Sequence, residues 1–185
     1  MKEHPILFST EMVQAILECR KTQTRRIFKG TTEHREPYNT TYLERWRGDN
    51  GWKQICPYGR VGDRLWVRET WRVNAKGGIN YKAEDGNSWI GRWKPSIFMP
   101  RWASRITLEI TGIRVESLQD ITDGDVDKEG YIWNELGTIE GISFPKSDTK
   151  SPAQRAYKSL WNKINGKKHS WESNPWVWVI EFKKI

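Results

Sequence analysis

Only two cysteines, Cys19 and Cys56, occur in the 185 residues, which argues against a disulfide scaffold. They form no CxxC pair, and the three histidines, His4, His34 and His169, lie far apart along the chain. That spacing argues against a zinc site, and we expect no metal and no cofactor. Long apolar runs are also missing. Ile6–Phe8 is the one apolar run in the opening MKEHPILFSTEM, too short for a signal-peptide core, and no stretch approaches the length of a membrane span. The expectation is a soluble, cytoplasmic protein with no membrane partner. Internal repeats and low-complexity segments are absent as well.

Tryptophan and positive charge are what the chain has in plenty. Hydrophobic residues make up 36% and the mean hydropathy is −0.80, both low for a packed core. Twelve tryptophans offset this, because each ring buries a large area. The net charge of +8 favours a polyanionic partner, a nucleoside-type ligand or RNA first. The length fits one domain spanning 1–185, with insertions at about 30–56 and 72–100.

Punctuation and periodicity then predict the elements. Pro5–Phe8 reads as a short buried strand. Ser9 or Thr10 caps a helix whose apolar residues Met12, Val13, Ile16 and Leu17 recur at helical spacing. The helix runs into the basic segment CRKTQTRR (Cys19–Arg26), followed by an irregular excursion over 30–62. DRLWVRETW (Asp63–Trp71) alternates, with Leu65, Val67 and Glu69 on one face and Trp66, Arg68 and Thr70 on the other. A short strand INYKA and a Trp-bearing loop lead to Pro100. Ser104–Ser117 is a strand with Gly112 marking a bulge. Thr122 caps a short acidic helix whose aspartates read as solvated. Residues 134–150 read as a loop. Ser151-Pro152 opens a helix with an apolar face of Ala156, Tyr157, Leu160, Trp161 and Ile164, closed by Asn165-Gly166. Trp176–Phe182 is apolar on both faces and belongs in the middle of a sheet. The sum is an α+β domain or small mixed β-barrel with mostly antiparallel strands, flanking helices and long loops.

The chemistry concentrates in CRKTQTRR. Of Arg20, Lys21, Arg25 and Arg26, the lysine loses its proton most readily among like charges. A partly buried Lys21 is thus a candidate base, with the Thr22 and Thr24 hydroxyls close in sequence. Equally, basic residues after a helix complement its dipole and stay in water. The residue types leave both open.

CRKTQTRR after a strand and helix resembles the signature that opens the ASCH domain, a PUA-like β-barrel family. PYGRVGDRLWVRETW, PRWASRITLEITGIRVESLQDITDGDVDKEG and NPWVWVIEF resemble its later strands and acidic helix, and the long, Trp-rich form resembles members from bacteriophages. The resemblance implies a PUA-like fold. Some small bacterial members remove the acyl group from N4-acetylcytidine with a Lys, a Thr and a Glu. Matching the motifs places these catalytic roles on Lys21, Thr24 and Glu129, with Arg26 retained as a substrate-binding residue. Glu69 is the reserve carboxylate, and Trp66, Trp71, Arg101 and Trp102 are expected to hold the base. The chain departs from those enzymes in its two insertions and in carrying Cys19 where they often have Gly. Two other functions remain compatible: an RNA-binding module without catalysis, and a ribonuclease, although no histidine pair is in evidence for the latter. The remaining tryptophans, Trp161, Trp171, Trp176 and Trp178, are assigned to core packing.

Overall fold

The computed structural model describes residues 1–29, 56–84, 92–131 and 150–185. Most of the excursion expected at 30–62 and of the loop expected at 134–150, His34, and part of the Trp-bearing loop lie outside the described residues. Ten regular elements follow in order: β1 (Glu3–Leu7), α1 (Thr10–Leu17), β2 (Gln23–Ile27), β3 (Arg64–Arg68), β4 (Trp71–Val73), β5 (Ile79–Tyr81), β6 (Thr107–Ser117), α2 (Asp123–Lys128), α3 (Pro152–Asn165) and β7 (Trp176–Lys184).

Five strands form one sheet in the order β1-β3-β6-β7-β2, and β4 with β5 forms a separate hairpin. β1 runs parallel to β3, and the other pairings are antiparallel. The chain therefore adopts a mixed α+β fold, and β7 lies inside the sheet as its double-sided apolar pattern requires. The two edge strands are linked through one arginine side chain. Arg26 of β2 donates from Nη2 to the Leu7 carbonyl of β1 at 2.6 Å.

One irregularity in β6 keeps the core continuous. The register with β7 slips between Ile110 and Gly112, leaving Thr111 as the extra residue of a bulge. Leu108 and Ile110 face the core before it. After it the phase shifts by one, so that Ile113 and Val115 pack on the same cluster. A Cβ at Gly112 would meet the Glu181 carboxylate at 2.7 Å, so a larger residue there would push that side chain aside.

Two apolar clusters occupy the two faces of the sheet. Ile6, Phe8, Val13, Ile16, Leu65, Val67, Leu108, Ile110, Trp178, Ile180 and Phe182 make the first, with α1 covering it. Leu118, Val126, Ala153, Tyr157, Trp161, Trp171, Val177 and Val179 make the second, under α2 and α3. Ile164, expected on the buried face of α3, is instead exposed, because it lies past the edge of this cluster in the last turn of the helix. Trp161, Trp171 and Trp178 are core residues, whereas Trp176 is half-buried at the strand start.

The sequence reading missed β2. Its QTRRI reads as a solvated tail of the helix, yet Gln23, Thr24 and Arg25 are all buried. The turn that makes this possible is at Cys19, which sits at φ 60°, in the left-handed region. There the Arg20 and Lys21 amides both donate to the Ala15 carbonyl, closing the helix and reversing the chain. A side chain at that φ costs on the order of 1 kcal/mol. Cys19 is exposed. Cys19→Gly is therefore expected to stabilise the fold by about 0.5–1 kcal/mol, read as a rise in the urea midpoint at unchanged slope.

Candidate active site

Lys21 sits where the two clusters meet. Its backbone bridges Glu129, the residue that caps the C-terminus of α2, and its side chain lies against the Phe8 ring with Nζ 5.6 Å from the ring centre. Nζ donates to the Glu129 carboxylate at 2.8 Å and to the Glu129 carbonyl at 2.9 Å. The approach is as close as it is because residue 130 is glycine. Gly130 has φ +75°, and a Cβ there would meet Lys21 Cβ at 2.6 Å and Ala15 Cβ at 2.9 Å. Thr22 N–H donating to the Lys128 carbonyl at 2.9 Å completes the docking of α2 on the start of β2.

The second oxygen of Glu129 accepts from Arg25 Nη1 at 3.1 Å. Arg25 also contacts Glu116 through Nε at 3.0 Å and through Nη2, and lies 3.4 Å from Asp125. Arg114 extends the chain of charges to Glu116 at 2.9 Å, Asp125 at 3.1 Å and Glu181 at 2.6 Å. The strand register explains the assembly. Gln23 and Arg25 stand opposite Glu181 and Val179, and Arg114 and Glu116 lie opposite Val179 and Val177, so all four point to the α2 side of the sheet. Thr24 and Arg26 stand opposite Ile180 and Trp178 and point to the other side.

Burial holds the Lys21 ammonium below the usual lysine range. Glu129 opposes this, and Arg26 and Arg25 add to it in a lesser way. The arginine neighbours assist, but loss of water does more than they do. Tyr157, buried with the Arg25 guanidinium 5.9 Å from its ring centre, has its phenol pushed well above the ordinary value, first by burial and then by the Glu129 charge.

Asp125, expected among solvated aspartates, is instead buried, because α2 lays it on Arg25 and Arg114. It also closes a capping box with Thr122. Burial would raise its carboxyl. Hydrogen bonds from Thr122, the Arg25 charge and Gln23 outweigh that and bring it down to about 2. A depressed carboxylate contributes stability that is present above its unfolded value of 3.8 and is lost as pH falls towards 2. Screening at its partly open edge leaves about 1–2 kcal/mol of this. Asp125→Asn is expected to lower stability at pH 7 and to flatten the loss between pH 4 and 2, as followed by denaturant titration.

The sequence-predicted residues divide among several places. Lys21 and Glu129 are brought together. Thr24 is buried on β2, and among the described residues no hydrogen bond joins it to Lys21 or Glu129. Arg26 lies over the Phe8 ring at 5.2 Å, and its Nε is buried with no hydrogen-bond partner among the described residues. Glu69 ends the inward row of β3 and is held in a two-pronged pair by Arg105 at 3.0 and 3.1 Å. Its carboxyl is raised, burial outweighing Arg105. Trp66 stands on the opposite face of β3 from Leu65 and Val67, beside Arg101. Trp71 is buried in a third small cluster with Met99 and Ala103, and Trp102 packs on it edge-to-face at 5.8 Å. Arg101 pairs with Glu3 at 2.8 Å. The aromatic set thus lies apart from Lys21.

Sequence reasoning passed over Arg25, Glu116, Arg114, Asp125 and Tyr157 as site residues. A signal existed in IRVES, where Arg114 and Glu116 alternate with Ile113 and Val115 and so mark a charged face on a strand otherwise apolar. Among the described residues, no group of three or more His, Cys, Asp or Glu side chains is placed to hold a metal ion, and no helix is long and apolar enough to cross a membrane.

No protein-family model matches the chain, and no curated protein matches it. Among solved structures it is similar to the crystal structure of an ASCH domain from Lactobacillus crispatus JV V101. The identity is 14% and the TM-score 0.42, with 99% of this chain and 79% of that one covered.

Proposed function

We propose that the chain is an ASCH-type amidohydrolase that removes the acyl group from an N4-acylated cytidine, with Lys21 as base and Glu129 as proton relay. One observation carries the reading: a fully covered lysine amine, held below its ordinary protonation range by burial, lies 2.8 Å from a carboxylate. Such pairs of ionisable groups are how proteins set up acid–base chemistry near neutral pH. Lys21 takes a proton from the Thr24 hydroxyl or from water, and the freed oxygen attacks the acyl carbonyl. The C–N bond to the cytosine amine breaks and the amine leaves as cytidine with the proton relayed through Glu129. Where water attacks, the carboxylic acid forms directly; where Thr24 attacks, an acyl-threonine ester forms and a water deprotonated by Lys21 cleaves it, releasing the acid and restoring the hydroxyl. Arg26 Nε, without a hydrogen-bond partner among the described residues, is a donor for the oxyanion.

A second reading is a nucleic-acid-binding module without chemistry. It is favoured by the engagement of Lys21 with two acceptors on Glu129, as in a purely structural ion pair. Incubation with N4-acetylcytidine separates the two. Cytidine released by the wild type and not by Lys21→Ala supports the hydrolase, and its absence from the wild-type reaction leaves the binding module.

A further inference from the structure

The proposed chemistry uses Lys21, Thr24, Arg26 and Glu129 and gives no part to Arg25. Strand period puts Arg25 on the other face of β2 from Thr24 and Arg26. Lys21 Nζ and the Arg26 guanidinium both lie over the Phe8 ring, on the side of the first cluster. Arg25 reaches Glu129 from the opposite face. Its side chain has no solvent exposure, and its guanidinium lies 5.9 Å from the centre of the Tyr157 ring. A substrate that meets Lys21 from the Phe8 side therefore does not touch Arg25.

A guanidinium presents its donors in a rigid planar fork. In Arg25, Nε and Nη2 go to Glu116, which leaves Nη1 for Glu129 Oε1 at 3.1 Å. Glu116 is tied in turn to Arg114 of β6 at 2.9 Å, and Asp125 to the same arginine at 3.1 Å, so the fork is anchored from inside the sheet. The two oxygens of Glu129 thus differ. Oε1 faces a cation that never loses its charge and takes no proton there. Oε2, 2.8 Å from Lys21 Nζ, is the oxygen left to pass one on. The charged groups that face the pair are Arg25 and Arg26 from β2 and the Tyr157 phenol from α3, with Glu116 and Asp125 acting through Arg25. When the pair gives up its proton it becomes net negative, whichever member held that proton, and a neighbouring cation favours this state.

We infer that Arg25 is a positioning residue of this site: it holds Glu129 Oε1 from the far face of β2, leaves Oε2 to Lys21, and supplies the fixed positive charge beside the pair. It returns Glu129 to the carboxylate after each proton transfer without itself meeting the substrate. Its part in turnover rests on the hydrolase reading, whereas its hold on the Lys21–Glu129 pair does not.

The test has two readouts on the full chain. One is the titration of the Lys21 amine by NMR in protein labelled with ¹³C at lysine Cε, its signal identified by its loss in Lys21→Met. The other is the pH profile of kcat/KM for N4-acetylcytidine. Arg25→Met is expected to raise the midpoint in both by about one pH unit, which lowers kcat/KM about ten-fold on the rising limb. Glu116→Gln keeps the hold of Arg25 on Glu129 and removes an anion that offsets its charge, so the midpoint is expected to fall. Arg25→Lys keeps the charge and should bring the midpoint back towards the wild type. A loosened fold does not give this pattern, since entry of water moves every variant upward to the ordinary lysine value. Melting temperatures are measured alongside. If Arg25→Met does not fold, the downward shift in Glu116→Gln, whose side chain is partly exposed, decides. Midpoints that stay in place, or that rise in Glu116→Gln, overturn the inference. A wild type that leaves N4-acetylcytidine intact overturns the hydrolase reading, and the NMR midpoints still decide whether Arg25 governs the pair.

Discussion

Glu129→Ala is expected to cost the fold about 3–5 kcal/mol at pH 7, more than any other single truncation in the charge network. The reason is how many cations depend on it. Glu129 holds Lys21 with one oxygen and Arg25 with the other, and both cations have side chains with no solvent exposure. Arg25 keeps Glu116 and Asp125 when Glu129 is removed, but among the described residues Lys21 keeps only the backbone carbonyl of residue 129. The ceiling on the cost is the lysine's own escape. Giving up its proton at pH 7 from an ordinary value near 10.4 costs about 4–5 kcal/mol, and the protein will not exceed this by much. Lys21→Met should cost less than half as much, since it leaves the Arg25–Glu129 pair intact and replaces one covered stem by another.

The same argument fixes the pH dependence. Lys21 titrates in the native state below its unfolded value, so in that window the unfolded chain binds more protons and stability rises with pH. Removing Glu129 lowers the native value further and widens the window. The deficit of Glu129→Ala is therefore expected to shrink as pH rises from 7 towards 10, and in the Lys21→Met background to be smaller and unchanged over that range, because only the Arg25 pair is then lost. Urea titrations of the four proteins of this cycle at pH 7 and 9.5 give the result. A deficit equal at both pH values would mean that the charge on Lys21 is not what Glu129 compensates.

How much of this could be read from the chain alone follows from which forces are local. The caps at Ser9, Thr122 and Ser151 were legible, because each is a hydroxyl accepting from an amide three residues on. So were β3, β6 and β7, whose alternation or double-sided apolar pattern is written in a few residues, and the bulge near Gly112. β2 was not. Its strand character depends on acids at 116, 125 and 129, roughly ninety or more residues away, which convert Arg25 from a surface residue into an interior one. No local period encodes that. The candidate site was half legible for the same reason. Lys21 stands out by type and company, and Glu129 enters only through a motif match. The clamp of Arg25, Glu116 and Asp125 that fixes Glu129 is a product of sheet register. The aromatic residues chosen for a base pocket were chemically apt and spatially elsewhere, since Trp66 and Leu65 differ by one residue and hence by a whole face of the sheet.

If Lys21 is the base of a hydrolase, Lys21→Met is expected to lower kcat/KM for N4-acetylcytidine by about 10²–10⁴-fold. Loss of activity alone is weak proof, because a repacked site also loses activity. The pH profile is more demanding. For a basic catalyst kcat/KM rises as the amine loses its proton, and the limb should end below the usual lysine range, where burial holds Lys21. The neighbours then move the limb in opposite directions. Glu129 favours the charged amine, so Glu129→Gln, which keeps a hydrogen-bond acceptor and drops the charge, should shift the limb to lower pH. Arg26 disfavours the charged amine, so Arg26→Gln should shift it to higher pH. Thr24→Val isolates the remaining question. Thr24 is buried opposite Ile180 and among the described residues gives no hydrogen bond to Lys21, so the substitution should preserve the fold. If the Thr24 oxygen attacks, Thr24→Val abolishes the initial burst of cytidine along with turnover; if water attacks, turnover persists at a reduced rate. A limb that ignores both Glu129→Gln and Arg26→Gln would mean that some group other than Lys21 takes the proton, and the buried pair would then stand as architecture.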